Sequence, residues 1–261
     1  MSLDKVKRRH LKTNFGVILE LNFESLPDEE ELIRLMAFAS LERIADFIRT
    51  NPDLDPHYPT KTLKTALTAA IDRGVTSILI NLLDGYSAEI LDSTLTQPFG
   101  KTALMHASYV SRNPDILRVL IEKGADVQKT DIRGWNCLYY AVVGEKLGNV
   151  ECLLGSGVDV ESRDEQGRTP LMIAVILSDM VTVKFLLKSG ANPASVDDSG
   201  CSALRLAILR RREEHALLLT NYGSKLDDVS SMSRYSDREL AHYLMPNISP
   251  VMQQKSDKRN Q

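Results

Sequence analysis

Four glycines, Gly124, Gly157, Gly190 and Gly223, stand 33 residues apart, and each closes an aliphatic run: "RVLIEKG", "ECLLGSG", "KFLLKSG" and "ALLLTNYG". A second series marks the other end of the unit, in "GKTALMHA", "GWNCLYYA", "GRTPLMIA" and "GCSALRLA"; its glycines, Gly100, Gly134, Gly167 and Gly200, follow one another by 34, 33 and 33 residues. A period held to within one residue over four copies means that one structural unit is used repeatedly. A unit this short cannot bury an apolar face alone, so the copies have to stack on one another.

The register inside each copy predicts two helices. Two residues after each turn glycine comes Thr102, Asn136, Thr169 or Ser202, all able to accept a hydrogen bond from the free N–H groups of a first helical turn. Pro170, directly after Thr169, suits the first helical position. A Leu-x-x-Ala pair follows each time, as Leu104/Ala107, Leu138/Ala141, Leu171/Ala174 and Leu204/Ala207. That spacing puts both residues on one face, and the small Ala lets a neighbouring helix approach closely. A second helix carries aliphatic residues at helical spacing, such as Val183, Leu186 and Leu187, and ends on the 33-spaced glycine. In the copy that is one residue longer, Asn113-Pro114 can start this second helix.

Earlier copies are fainter. "KTALTAAIDRGVTSILINLLDGY" repeats the pattern with Thr65 as cap, the Leu67/Ala70 pair, and Gly85 one residue early. Before it, Asp28 and Glu31 make a capping box, and Asn51 stands where the terminal glycine is expected. The expected organisation is an N-terminal extension over 1–27, six helical pairs over 28–226, and a capping helix with a tail over 227–261. The pairs fall at about 28–59, 60–97, 98–131, 132–164, 165–197 and 198–226. Alternation of Phe15, Val17, Leu19, Leu21 and Phe23 predicts a short strand covering the first pair. "SDRELAHYL", opened by Ser236 and Glu239, predicts a helix docked on the last.

The segment "DEQGRTPLMIAVILSDMVTVKFLLKSGANP" resembles an ankyrin repeat, following the family's D-x-x-G-x-T-P-L-x-x-A…V-x-x-L-L-x-x-G-A-[DN] pattern almost position by position. "GKTALMHASYVSRNPDILRVLIEKGADV" and "GWNCLYYAVVGEKLGNVECLLGSGVDV" are nearly as similar, and the resemblance covers about three-quarters of the chain. It implies an all-α solenoid of about six helix-turn-helix repeats. One feature departs from the family: the position after T-P-L holds Met105, Tyr139, Met172 and Arg205, with no His in any copy. The resemblance therefore does not extend to the histidine network that ties such repeats together.

Composition argues against several functional classes. The net charge of −3 gives no global pull toward nucleic acid or an anionic membrane, and no apolar run approaches the length that spans a bilayer. The N-terminal stretch lacks the layout of a secretory signal, and three cysteines without paired spacing suit a reducing compartment; the expected location is cytoplasmic, with nuclear entry open. No nucleophile elbow, phosphate loop or His-Glu-x-x-His motif occurs. Cys137, Cys152 and Cys201 fall at three different repeat positions, which reads as structural or free thiols rather than a zinc site. His106 has no nucleophile in its turn and reads as a structural histidine. No cofactor, metal or catalytic residue is expected.

The resemblance implies a protein-binding module whose concave face meets the partner. In this family contacts come from residues flanking the turn glycine and from positions after the Leu-x-x-Ala pair. Carried onto this chain these are Lys101, Tyr109 and Val110; Arg133, Trp135 and Val143; Glu165, Gln166, Arg168, Ile176 and Leu177; and Asp198, Ser199, Leu209 and Arg210. Tyr109, Arg133, Trp135 and Arg168 are of the residue types that dominate binding energy at interfaces, and they fall within three neighbouring copies. Trp135, the single tryptophan, has two readings: a presented contact, which its type favours, or a plate packed against an adjacent turn. Tyr139 and Tyr140 read as packing. The alternative function is a nucleic-acid-associated regulator using the basic residues of 5–9 and Arg210 to Arg212, although Glu213 and Glu214 offset the second cluster. A monomer is the simpler expectation, with self-pairing through the edge of the 15–23 strand left open.

Overall fold

The computed structural model describes residues 33–35, 39–51, 65–84, 91–92 and 100–225. The expected strand over 15–23, the capping box of Asp28 and Glu31, Gly85 and the expected helix over 236–244 lie outside these residues. Beyond the short helical stretch 33–35, the described helices are α1 (Leu41–Thr50), α2 (Ala66–Arg73), α3 (Thr76–Leu83), α4 (Ala103–Val110), α5 (Asp115–Glu122), α6 (Cys137–Val143), α7 (Leu147–Gly155), α8 (Pro170–Leu177), α9 (Met180–Lys188), α10 (Ala203–Leu209) and α11 (Glu213–Asn221). Each even-numbered helix from α2 to α10 is the inner member of a pair and the odd-numbered helix after it the outer. An isolated bridge of β type joins Val196 and Ser202.

The caps fall where the repeat predicts them. Thr65, Thr102, Asn136, Thr169 and Ser202 each stand in extended backbone and accept a first-turn N–H, and Pro170 opens α8. Such a cap is worth about 1 kcal/mol against Ala. Gly190 shows how the outer helices end: at φ 96° its N–H donates to the Leu187 carbonyl while the next N–H, of Ala191, reaches back to Leu186. This pair of bonds satisfies carbonyls left over at the helix end and needs a left-handed residue between them. The same pair recurs at 124/125, 157/158 and 223/224, which accounts for the first glycine series.

Stacking follows from the Leu-x-x-Ala face. α2 packs on α4, α4 on α6, α6 on α8 and α8 on α10, with outer pairs α1/α3, α3/α5, α5/α7 and α9/α11 alongside. Leu and Ala of every described copy are buried in one continuous core that runs the length of the stack. Each fully buried Leu contributes about 1.5–3 kcal/mol, and it does so only because the next repeat covers it.

Polar side chains tie the repeats at the turns between inner and outer helices, where helix-end carbonyls lack partners. Asn149 donates to the carbonyls of Ser108 (3.1 Å) and Ser111 (2.9 Å) of the preceding repeat. The Ser178 hydroxyl donates to the Val142 carbonyl (2.7 Å), and Arg212 donates to the Ser178 carbonyl (2.7 Å). The last three repeats thus each close the exposed helix end of the one before.

Candidate partner-binding surface

The opposite edge of the stack is made of tight turns around Asp131, Asp164 and Asp197, each three residues before a turn glycine. Asp131 Oδ1 accepts the N–H groups of Arg133 (2.8 Å) and Trp135 (2.9 Å). Asp164 Oδ1 does the same for Gln166 and Arg168, and Asp197 Oδ1 for Ser199 and Cys201. Adjacent turns are joined by backbone bonds, Glu165 N–H to the Arg133 carbonyl and Asp198 N–H to the Gln166 carbonyl, both 3.0 Å. This approach explains Gly134: a Cβ there would lie 2.8 Å from the Glu165 nitrogen, and φ is 75° as well. The aspartates were absent from the sequence-derived contact residues, although Asp-x-x-Gly in three successive copies is a signal for them.

A dense cluster of charge and aromatic rings lies on the 131 turn. The second oxygen of Asp131 accepts Arg133 Nε and Nη2 (3.0 and 2.9 Å) and the Tyr140 hydroxyl (2.8 Å). Burial alone would raise the Asp131 carboxyl; the bonds from the Trp135 N–H, the Tyr140 hydroxyl and Arg133 outweigh it and hold the group below the usual carboxylate range. Trp135 lies under this network. Its ring stacks on Tyr139 at 5.6 Å, meets Tyr140 edge-on at 5.9 Å and carries the Arg133 guanidinium over its face at 4.0 Å. Its indole N–H donates across the repeat boundary to Asp164 Oδ2 (3.1 Å), which also accepts Arg168 Nε (2.9 Å).

These contacts correct the expectation for Trp135. The ring is 9% exposed and acts as a strut between two turns; the packing reading describes it, and the rim position is taken by Arg133 above it. Arg168 is likewise bound to Asp164, with 27% of its side chain exposed. Tyr139 and Tyr140 are core residues, as their positions suggested. Tyr139 also restores what the missing histidine left open: its O–H lies 2.7 Å from the Ser162 carbonyl and 2.6 Å from that of Arg168, and can donate to one at a time. Arg205, at the equivalent position of the last inner helix, is buried too.

The remaining expected contact residues line up along the inner helices. Counting five residues on from each Leu of the Leu-x-x-Ala pairs gives Tyr109, Val143, Ile176 and Leu209, with Leu177 beside Ile176. Tyr109, Leu177 and Leu209 are 45%, 49% and 42% exposed, and Val110, Val143 and Ile176 are half-buried. Glu165, Gln166, Asp198, Ser199 and Arg210 are exposed, whereas Lys101 is half-buried. Ile132, at the tip of the 131 turn, is 58% exposed and had been missed; the corresponding tips carry Glu165 and Asp198, and an apolar residue there is the signal.

The basic run is divided by the fold. Arg210 and Arg211 are exposed, while Arg212 is half-buried on the Ser178 carbonyl, and Glu213 and Glu214 form the first turn of α11. The basic residues of 5–9 lie outside the described residues. His106 Nε2 sits 2.9 Å from Asp72 Oδ1 and joins α4 to α2, a structural role. The thiol of Cys137 is buried against the Val127 carbonyl, and burial pushes its pKa up to about 12; Cys152 is raised by burial as well, and Cys201 is also a free thiol. Among the described residues no group of His, Cys, Asp and Glu has the arrangement to hold a metal ion, and no helix is long and apolar enough to cross a membrane.

Comparison with known proteins agrees with this architecture. A curated relative, a putative ankyrin repeat protein of Rickettsia bellii (strain RML369-C), is 28% identical over 118 residues, which are 36% of this chain. The match spans 33% of that relative's length. Among solved structures, the ankyrin repeat domain of Bcl-3, described as a unique member of the IkappaB protein family, matches with a TM-score of 0.64 and 26% identity. That match covers 82% of this chain and 96% of the other. The family model for ankyrin repeats matches three times, over residues 35–131, 67–164 and 138–230. Together with the stacked helix pairs and the turns around Asp131, Asp164 and Asp197, these matches establish that the chain belongs to the ankyrin repeat family.

Proposed function

We propose that this chain is a non-catalytic interaction module, an adaptor, scaffold or inhibitor, that holds a protein partner against the concave face of its repeats. The observation that carries the proposal is the apolar ladder of Tyr109, Val143, Ile176, Leu177 and Leu209. Val143 packs partly against the repeat core, but Tyr109, Leu177 and Leu209 are exposed, so their apolar character has little use inside the fold. Stacked inner helices bring them into one surface, the kind of surface such solenoids offer to partners. Lys101, Arg133, Gln166, Arg168 and Arg210 form the polar margin of this ladder. The three free thiols support a reducing location, the cytoplasm.

The test is capture from native lysate by wild type and by a Leu177→Asp/Leu209→Asp double variant. Both positions are exposed, so each change alters stability by no more than about 0.5 kcal/mol, which thermal unfolding verifies. Loss of the captured proteins at unchanged melting temperature is the expected result. Equal capture by the two proteins would remove the concave ladder as the binding surface.

A further inference from the structure

Three successive outer helices carry a buried polar residue at one position of the repeat. Counting 33 residues on from Asn149 gives Thr182 and then His215. Asn149 donates to two carbonyls of the preceding repeat, those of Ser108 and Ser111. His215 bonds to the backbone of Ser178, which ends α8 as Ser111 ends α4. The residue is only 9% exposed, and its Nε2 is enclosed without a hydrogen-bond partner among the described residues. An imidazole that bonds through one nitrogen and buries the bare lone pair of the other is neutral. The joint between the last two repeats is therefore made by a group that can take up a proton, unlike the Asn149 joint.

A proton on Nε2 adds a buried charge and a buried N–H that lacks an acceptor, and both are costly. The Ser178 carbonyl also accepts Arg212 Nη1 at 2.7 Å, so the new charge stands beside an existing cation. Asp179, the N-cap of α9, and Glu214, next to Glu213 in the first turn of α11, favour the charge. Burial first and Arg212 second oppose it, and together they hold the imidazole below its usual range. The helices α8 to α10 supply no further anion: α8 has no charged residue, α9 carries Lys184 and Lys188, and α10 carries Arg205 with Arg210 as its C-cap.

We propose that the boundary between the last two repeats is an acid-sensitive joint: neutral His215 holds α11 on the end of α8, and its protonation lets residues 203–221 open while the repeats before them stay folded. Repeats of a stack can open singly, because each contacts only its neighbours. The folded state keeps the neutral ring, whereas the unfolded segment takes up a proton at about pH 6.5. The stability of the last repeat is therefore full above that value and declines as pH falls toward the folded pKa. Asp131 and Asp164 lose their contributions only below about pH 4, so the two responses are separable. The inference stands apart from the partner-binding reading and needs no ligand.

The experiment is amide hydrogen exchange of the full chain from about pH 7.5 to about pH 5, corrected for intrinsic exchange, with residues 137–188 as internal reference. Protection of 203–221 is expected to fall by about tenfold relative to that reference across the range. His215→Asn supplies the donor that Asn149 uses and has no proton to gain, so its protection should not change with pH. Protection that is independent of pH in the wild type, a fall that persists in His215→Asn, or a fall shared equally by 137–188 would each overturn the proposal. Should the variant already be open at about pH 7.5, NMR titration of the His215 ring in the wild type decides. A midpoint below about 6.5 that tracks the loss of protection upholds the joint, and a midpoint at or above it overturns it.

Discussion

Of the three Asp-x-x-Gly turns, those at 131–135 and 164–168 also share an arginine on the aspartate. In both, an Asp oxygen accepts two backbone N–H groups, an Arg side chain binds the other oxygen, and a glycine allows the neighbouring turn to approach. The positions around this frame differ. The tip is Ile132 in one and Glu165 in the other, and the residue after the glycine is Trp135 in one and Arg168 in the other. Trp135 reaches across to Asp164, whereas Arg168 binds the Asp of its own turn. The backbone of the turn is thus set by Asp and Gly alone. The variable positions divide between holding the next repeat and meeting solvent, and residue type does not reveal which.

The largest effect that separates the two turns is expected from Trp135→Ala. It removes the plate beneath Arg133 and leaves Asp164 without one donor, and should lower the unfolding free energy by about 3–5 kcal/mol in urea denaturation. The emission maximum of the folded wild type should be blue-shifted and move to the red on unfolding. A small stability loss with a red-shifted folded protein would mean that the two turns differ only on their surfaces.

Tyr139→Phe asks for less. Its hydroxyl lies against the Ser162 carbonyl of its own repeat and the Arg168 carbonyl of the next, so its loss should cost about 1–3 kcal/mol with the ring stack on Trp135 intact. Met172 occupies the equivalent position one repeat on and carries no hydroxyl. No loss at Tyr139 would show that the aromatic cluster holds the repeats together without that bond.

The smallest and most gradual effect is that of acid. Asp164 is opposed by burial, but bonds from Arg168, Trp135 and Gln166 hold its pKa below the ordinary value, as happens for Asp131. A carboxyl depressed in the folded state stabilises it fully above the unfolded pKa, about 3.9, and loses that contribution as pH falls through the folded value. The stability gap between wild type and Asp164→Asn should therefore be constant near neutrality and close below about pH 4. A gap that persists to lower pH would assign the role of Asp164 to shape rather than charge.

Much of this molecule can be read from period and spacing. Thr102, Asn136, Thr169 and Ser202 cap helices because capping depends on residues within one turn of one another. Leu138 and Ala141 enter the core because helical spacing fixes their common face. Asn149, Ser178 and Arg212 were invisible as inter-repeat ties, since their acceptors lie 34 to 41 residues away.

What the sequence determined by itself was the unit, its helices and their stacking, because those follow from local hydrogen bonding and from a periodic apolar face that has nowhere else to go. The tertiary structure decided which side chains remained for other uses. It placed Trp135 inside and left Tyr109, Ile132, Leu177 and Leu209 outside, a distinction that depends on what the neighbouring repeat covers.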